Sequence, residues 1–190
     1  MSRRRTEIME AAVRVVAQRG IRGLRVEELA KEAGVSTALI YYHFQDRAGL
    51  VSSTLDFVTA RAEQYTDVAA DPETDPRGHL SEALLRELQD SSVVVENSSA
   101  WGELRASAVF QPELRDQLRA ASARWTDFNS ELIRRAQTQG TIGPEVAADD
   151  AAERLTALVE GLSMRWLSGT LELEQARKLL RGALLAELGE

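Results

Sequence analysis

Three polar rings stand side by side at Tyr41, Tyr42 and His43, and the small residues Ser36, Thr37 and Ala38 lie a few positions upstream, followed by Leu39. Phenol hydroxyls and an imidazole N–H donate hydrogen bonds to phosphate oxygens, and small side chains let a backbone approach a second molecule closely. Arg47 adds a fixed cation just beyond the rings. This is the chemistry of binding a polyanion. The chain offers little for catalysis: it has two histidines, no cysteine, no Gly-x-Ser-x-Gly elbow and no His-Glu-x-x-His pair. The glycines of RGIRGLR lack the Lys-Ser or Lys-Thr pair of a phosphate cradle, so that stretch reads as a turn. We expect no enzyme activity, no cofactor and no metal site.

The elements around these residues have the spacing of a helix, a tight turn and a second helix. Val26, Leu29, Ala30 and Ala33 recur at helical intervals, Gly34 can take the positive φ that ends a helix, and Ser36 can cap the next one. The second helix, through Phe44, is expected to bury Val35, Ile40 and Phe44 and to leave Thr37, Ala38, Leu39, Tyr41, Tyr42 and His43 outward. Upstream, Arg3 to Arg19 reads as a helix with Ile8, Ala12, Val15 and Val16 on one face and Gly20 at its stop. Arg3, Arg4 and Arg5 read either as a solvated terminus or as an arm that touches phosphates or a minor groove. Arg25, at the start of the middle helix, can reach a phosphate, whereas Glu27 and Glu28 in the same first turn disfavour base contact there.

A net charge of −7 opposes a nucleic-acid partner until its distribution is seen. Residues 1–50 carry nine Lys and Arg against six Asp and Glu, whereas residues 51–190 carry fourteen against twenty-four. The basic end coincides with the helix-turn-helix, and the acidic remainder should face away from DNA. No apolar run is long enough to span a bilayer, and the N-terminus lacks the continuous apolar region of a secretory signal, which makes a cytoplasmic location the expectation.

Beyond residue 45 the apolar periodicity remains helical. A long helix from Asp46 to about Ala70 is expected, then a break at DPETDPR, a helix from about Gly78 to Asp90, and an ambiguous SSVVVENSS. A helix from Ala100 to Phe110 follows. The next is the most regular, with Leu114, Leu118, Ala121, Trp125, Phe128 and Leu132 on one stripe. Two last helices, about 148–167 and 172–188, carry an excess of apolar surface. Leu155, Leu158, Leu162, Trp166, Leu180 and Leu184 are the residues we expect to pair with a second copy. Phe57, Trp101, Phe110, Trp125 and Phe128 are candidate linings of a small-molecule pocket, and Glu96, Glu103 and Asp127 would suit a cation there.

The run LRVEELAKEAGVSTALIYYHFQDRAGLV resembles the DNA-binding domain of the TetR family of transcriptional regulators, over about residues 3–55. The resemblance implies that Thr37, Ala38 and Leu39 face bases and that Tyr41, Tyr42, His43 and Arg47 face phosphates. Ala38 stands where glycine is frequent in the family, Leu39 where threonine is frequent, and Arg47 where lysine is usual. Few side chains therefore remain to read base edges by hydrogen bonds, and sequence preference rests partly on DNA shape. WGELRASAVFQPELRDQLR and TALVEGLSMRWLSG resemble segments of one group of TetR-type ligand-binding domains, and the resemblance extends to a two-fold, four-helix dimer interface.

The expected architecture is all-α. Residues 1–47 form a three-helix DNA-binding domain, and residues 48–190 form a larger helical domain for ligand binding and dimerisation. The expected function is a homodimeric repressor that binds a double-stranded operator and leaves it when a small-molecule effector binds. The alternative is a ligand-independent dimeric or architectural DNA-binding protein.

Overall fold

The computed structural model describes residues 3–66 and 74–189. Among them are α1 (Arg3–Arg19), α2 (Val26–Ala33), α3 (Thr37–Phe44), α4 (Arg47–Thr66), α5 (Pro76–Arg86), α6 (Ser92–Ser107), α7 (Arg115–Thr138), α8 (Ala148–Leu167) and α9 (Leu173–Leu188). Two short 3-10 turns, Ile21–Gly23 and Pro112–Leu114, complete the described secondary structure, and no strand occurs among the described residues. The all-α expectation holds. SSVVVENSS resolves as helix, since α6 begins at Ser92, and Pro112 opens a 3-10 turn ahead of α7. The far end expected for the fourth helix and the first half of DPETDPR lie outside the described residues.

The chain divides into two compact units. One comprises residues 1–62 and 96–119, the other residues 63–95 and 120–190. In the first, α1 is central: it buries Ile8, Met9, Ala11, Ala12, Val13, Val15 and Val16, more than the single stripe the sequence suggests. Leu24, Leu29, Ile40, Phe44, Leu50, Leu55, Ala100 and Leu104 belong to the same core, so α1 is covered on several sides. The arginines Arg3 to Arg5 lie within α1. Arg5 places its guanidinium 5.4 Å from the Phe44 ring centroid and donates to Ser53 Oγ at 3.4 Å, which makes it a brace of the core.

The local chemistry of the helix-turn-helix matches its sequence signals. Gly34 adopts φ 64°, ψ 37°. The Val35 N–H donates to Ala30 O at 2.9 Å and the Gly34 N–H to Lys31 O at 3.3 Å, a Schellman ending for α2. Ser36 Oγ then accepts from the Leu39 N–H at 3.3 Å and caps α3. The exit from α3 is tighter. Gln45 takes φ 63°, ψ −59°, and the Asp46 N–H donates to Phe44 O at 2.7 Å, which closes a γ-turn of the sterically costly left-handed kind. Asp46 Oδ1 accepts from the Gly49 N–H at 2.8 Å and starts α4. A Cβ on Gly49 would lie 2.3 Å from the Phe44 carbonyl oxygen, so glycine is the residue that fits this corner.

In the second unit, leucines of α5 and its end (Leu80, Leu84, Leu88), Leu132 and Ile133 of α7, Ala151, Leu155, Val159 and Leu162 of α8, and Ala176, Leu180, Leu184 and Leu188 of α9 share one core. Asp75 Oδ1 accepts from the Gly78 N–H at 2.8 Å, with Pro76 in the first helical position, so α5 starts as its sequence dictates. Arg177 of α9 donates to the carbonyls of Leu85 (3.3 Å) and Leu88 (2.6 Å) and satisfies the end of α5. Arg154 and Glu187 pair through two bonds of 2.8 and 2.7 Å across α8 and α9. Ser130 and Arg134 both donate to Asp149 Oδ1 and hold that carboxyl below its usual range.

Candidate nucleic-acid interface

The outward face of α3 is polar and open. Tyr42 is 81% exposed and Tyr41 48%, and Ser36, Thr37 and Ala38 are exposed as well. The His43 ring is half-buried and meets Tyr42 edge-on, with centroids 5.2 Å apart. Leu39 departs from the expectation of an outward base-reading side chain. It is half-buried against the core, because α3 turns its third residue partly inward, and only part of it is available to a thymine methyl. Ser36 Oγ is engaged as an acceptor, so its remaining capacity toward a phosphate is as a donor.

The cations around this face sort into those held by carboxylates and those that are not. Arg14 bonds Glu32 at 3.2 Å and Arg19 bonds Glu28 at 3.0 Å, so two acids of α2 are directed at α1. Arg3 and Arg4 share Glu7. Arg22, Arg25, Lys31 and Arg47 are exposed and have no carboxylate partner among the described residues. Arg25 precedes α2 in extended conformation and makes no capping bond. Arg22 was not singled out by sequence reasoning, and its only signal there is an arginine flanked by the turn glycines Gly20 and Gly23.

The five aromatic pocket candidates separate. Phe57 and Trp101 belong to the first unit and are half-buried, with Arg105 over the Trp101 ring at 5.4 Å. Phe110 is 83% exposed in the turn after α6. In the second unit Trp125 stacks on Phe128 (5.8 Å, 17°), and Phe128 meets His79 edge-on at 5.7 Å. Phe128 is 41% exposed.

The acids are redistributed too. Glu96 is paired with Arg61 at 3.5 Å, and Glu103 and Asp127 are exposed. The chemically unusual acid is Glu87, which sequence reasoning missed. Burial pushes its carboxyl up to about 7, against the hydrogen bond it accepts from Tyr65 Oη at 3.1 Å, and the charge of Glu160 pushes it further up. Ser163, one turn beyond Glu160 on α8, keeps a buried hydroxyl with no hydrogen-bond partner among the described residues. Tyr65, Glu87 and Glu160 are far apart in sequence, so no spacing announces them. No group of three or more His, Asp or Glu among the described residues is placed to hold a metal ion.

Residues 8–54 match the family described as bacterial regulatory proteins, tetR family, and residues 76–189 match the BetI-type transcriptional repressor, C-terminal family. The chain belongs to the TetR family of transcriptional regulators. It is 29% identical over 170 residues to the HTH-type transcriptional regulator BetI of Pseudomonas fluorescens, covering 88% of this chain and 82% of that protein. The crystal structure of a TetR-family transcriptional regulator from Rhodococcus sp. superposes with a TM-score of 0.92 at 44% identity, over 100% of both chains. A transcriptional regulator from Saccharomonospora viridis, solved in complex with choline, superposes with a TM-score of 0.80 at 26% identity, also over 100% of both chains.

In this TetR-family regulator the apolar face expected for dimerisation is divided. Leu155, Leu162, Leu180 and Leu184 are between 0 and 6% exposed and pack in the chain's own core. Leu158 and Trp166 are half-buried. The faces that α8 and α9 present outward instead carry Ala157, Gly161 and Met164 on one helix and Leu179, Gly182 and Leu185 on the other. Met164, Leu179 and Leu185 are 44, 43 and 57% exposed, and a Cβ on Gly161 or Gly182 would meet nothing within 4 Å. No helix among the described residues is long and apolar enough to cross a membrane.

Proposed function

We propose that this TetR-family regulator is a cytoplasmic, homodimeric repressor, without enzymatic activity, that leaves a partly palindromic operator when a small organic cation occupies its C-terminal domain. Within it, residues 1–47 serve DNA binding and residues 48–190 serve effector binding and dimerisation. The observation that carries the DNA half is the open polar face of α3 beside Arg22, Arg25 and Arg47, none of them held by a carboxylate among the described residues. Thr37 and Ala38, with part of Leu39, meet base edges, and Ser36, Tyr41, Tyr42, His43, Arg25 and Arg47 meet phosphates. The exposed faces of α8 and α9 pair with their symmetry copies, which holds two recognition helices about 34 Å apart in successive major grooves.

For the effector, the support is the Tyr65, Glu87 and Glu160 group. Burial and the neighbouring charge of Glu160 both disfavour the ionised form of Glu87, a cation offsets both, and a phenol ring adds to the attraction. The choline complex of the Saccharomonospora viridis neighbour agrees with that class. A cation shifts the regulator only through unequal affinity for its DNA-bound and DNA-free forms.

Selection of genomic fragments by the purified protein, followed by displacement with choline and with its neutral isostere 3,3-dimethylbutanol, tests both halves. Enrichment of a palindromic site and its release by choline alone are expected. Release by neither compound favours the ligand-independent alternative, and no enrichment at low salt removes the DNA-binding reading.

A further inference from the structure

Arg47 opens α4, and its Nη2 donates to the carbonyl oxygen of Ile21 at 2.8 Å. Ile21 begins the 3-10 turn Ile21–Gly23, in which Ile21 is buried while Arg22 is exposed. The guanidinium therefore joins the start of the helix that follows α3 to the turn that precedes α2. A guanidinium carries five N–H donors in a planar fork, so one bond to a carbonyl leaves others for a second acceptor. The Arg47 side chain is exposed, which keeps those donors within reach of a ligand. The neighbouring arginines of α1, Arg14 and Arg19, are engaged by Glu32 and Glu28, whereas Arg22 has no such partner among the described residues.

We propose that Arg47 is a positioning residue as well as a phosphate contact: by clipping the Ile21–Gly23 turn to α4 it sets Arg22 beside Arg25 as a further contact to the DNA backbone. This rests on the DNA-binding reading above. An ammonium at position 47 would keep the charge but lacks the fork, so it serves the carbonyl or the phosphate less well in combination. Arg22 then loses its fixed place although its own charge is untouched.

Phosphate neutralisation is independent of sequence and is measured by the salt dependence of binding, so a random-sequence duplex of about 30 base pairs is a sufficient probe. The full chain and its Arg22→Ala, Arg47→Lys and doubly substituted forms are titrated by fluorescence anisotropy from roughly 50 to 200 mM salt, with thermal melts to confirm folding. Arg22→Ala should lower the slope of log K against log salt by about 0.9 for each phosphate that the protein no longer neutralises. Arg47→Lys should weaken binding about fivefold and lower the slope as well, despite its conserved charge. Arg22→Ala should then have little further effect in the Arg47→Lys background, because the two residues act as a unit. Additive effects overturn the proposal, as does Arg47→Lys with unchanged slope or Arg22→Ala with unchanged slope. Absence of any salt-dependent binding by the unsubstituted chain instead removes the DNA-binding reading on which the proposal stands.

Discussion

Gln117 and Ser52 hold each other reciprocally. Ser52 Oγ donates to Gln117 Oε1 at 2.9 Å, and Gln117 Nε2 donates back to the Ser52 carbonyl at 2.8 Å and to Asp56 Oδ1 at 2.7 Å. One carboxamide thus uses both its ends to fasten the first turns of α7 to α4, a short way beyond the recognition helix. Gln117→Ala is expected to cost about 1–2 kcal/mol in urea denaturation. Gln117→Glu replaces the donor with a carboxylate facing Asp56, and the resulting destabilisation should be larger at pH 7 than at pH 4. Equal stability of both variants and the parent would show that the clasp contributes nothing.

The corner between α3 and α4 stores strain at Gln45, whose φ of 63° suits glycine better. Gln45→Gly should raise stability by about 1 kcal/mol, even after the added chain entropy of the unfolded state is counted. Gly49→Ala should act oppositely, since its Cβ would meet the Phe44 carbonyl oxygen at 2.3 Å. Thermal unfolding of the two variants reads both signs.

Glu87 gives the protein a pH signature. Its folded-state value of about 7 lies above the ordinary 4.5, so between those values the folded chain holds a proton that the unfolded chain has released. Its contribution to stability therefore falls as pH rises from about 4.5 to about 7 and is fully lost above that. Glu87→Gln keeps an acceptor for Tyr65 and removes the charge. The variant should melt higher than the parent at pH 8 and close to it at pH 5, and a parallel offset at both values would contradict the burial of this carboxyl.

Leu185→Glu places a charge on the outward face of α9 without touching the core, since Leu185 is 57% exposed. Sedimentation equilibrium should find the parent as the proposed dimer and the variant as a folded monomer with weakened operator binding. A dimer of unchanged strength would move the interface elsewhere.

Much of the DNA-binding end was legible in its sequence because its signals are local. Gly34 ends a helix and Ser36 caps the next through bonds that span only a few residues, and the exposed Tyr41 and Tyr42 follow from core positions already taken by Ile40 and Phe44. Leu39 and the last two helices were less legible. Periodicity tells which residues share a face, but two apolar faces on one helix compete for the same reading. In α8 and α9 the richer stripe, with Leu155, Leu162, Leu180 and Leu184, went to the chain's own core. The outward stripe uses Gly161 and Gly182, which carry almost no hydrophobic signal.

The sequence by itself determined the all-helical fold, the helix-turn-helix and the concentration of positive charge at one end, because each depends on near neighbours along the chain. Only the tertiary structure decided that Arg47 reaches the Ile21 carbonyl, that Arg5 lies over Phe44, and that Glu87 is desolvated with Tyr65 and Glu160 around it. Those facts join residues that are distant in sequence. Desolvation and charge pairing depend on which groups arrive at the same place, and no spacing along the chain encodes that arrival.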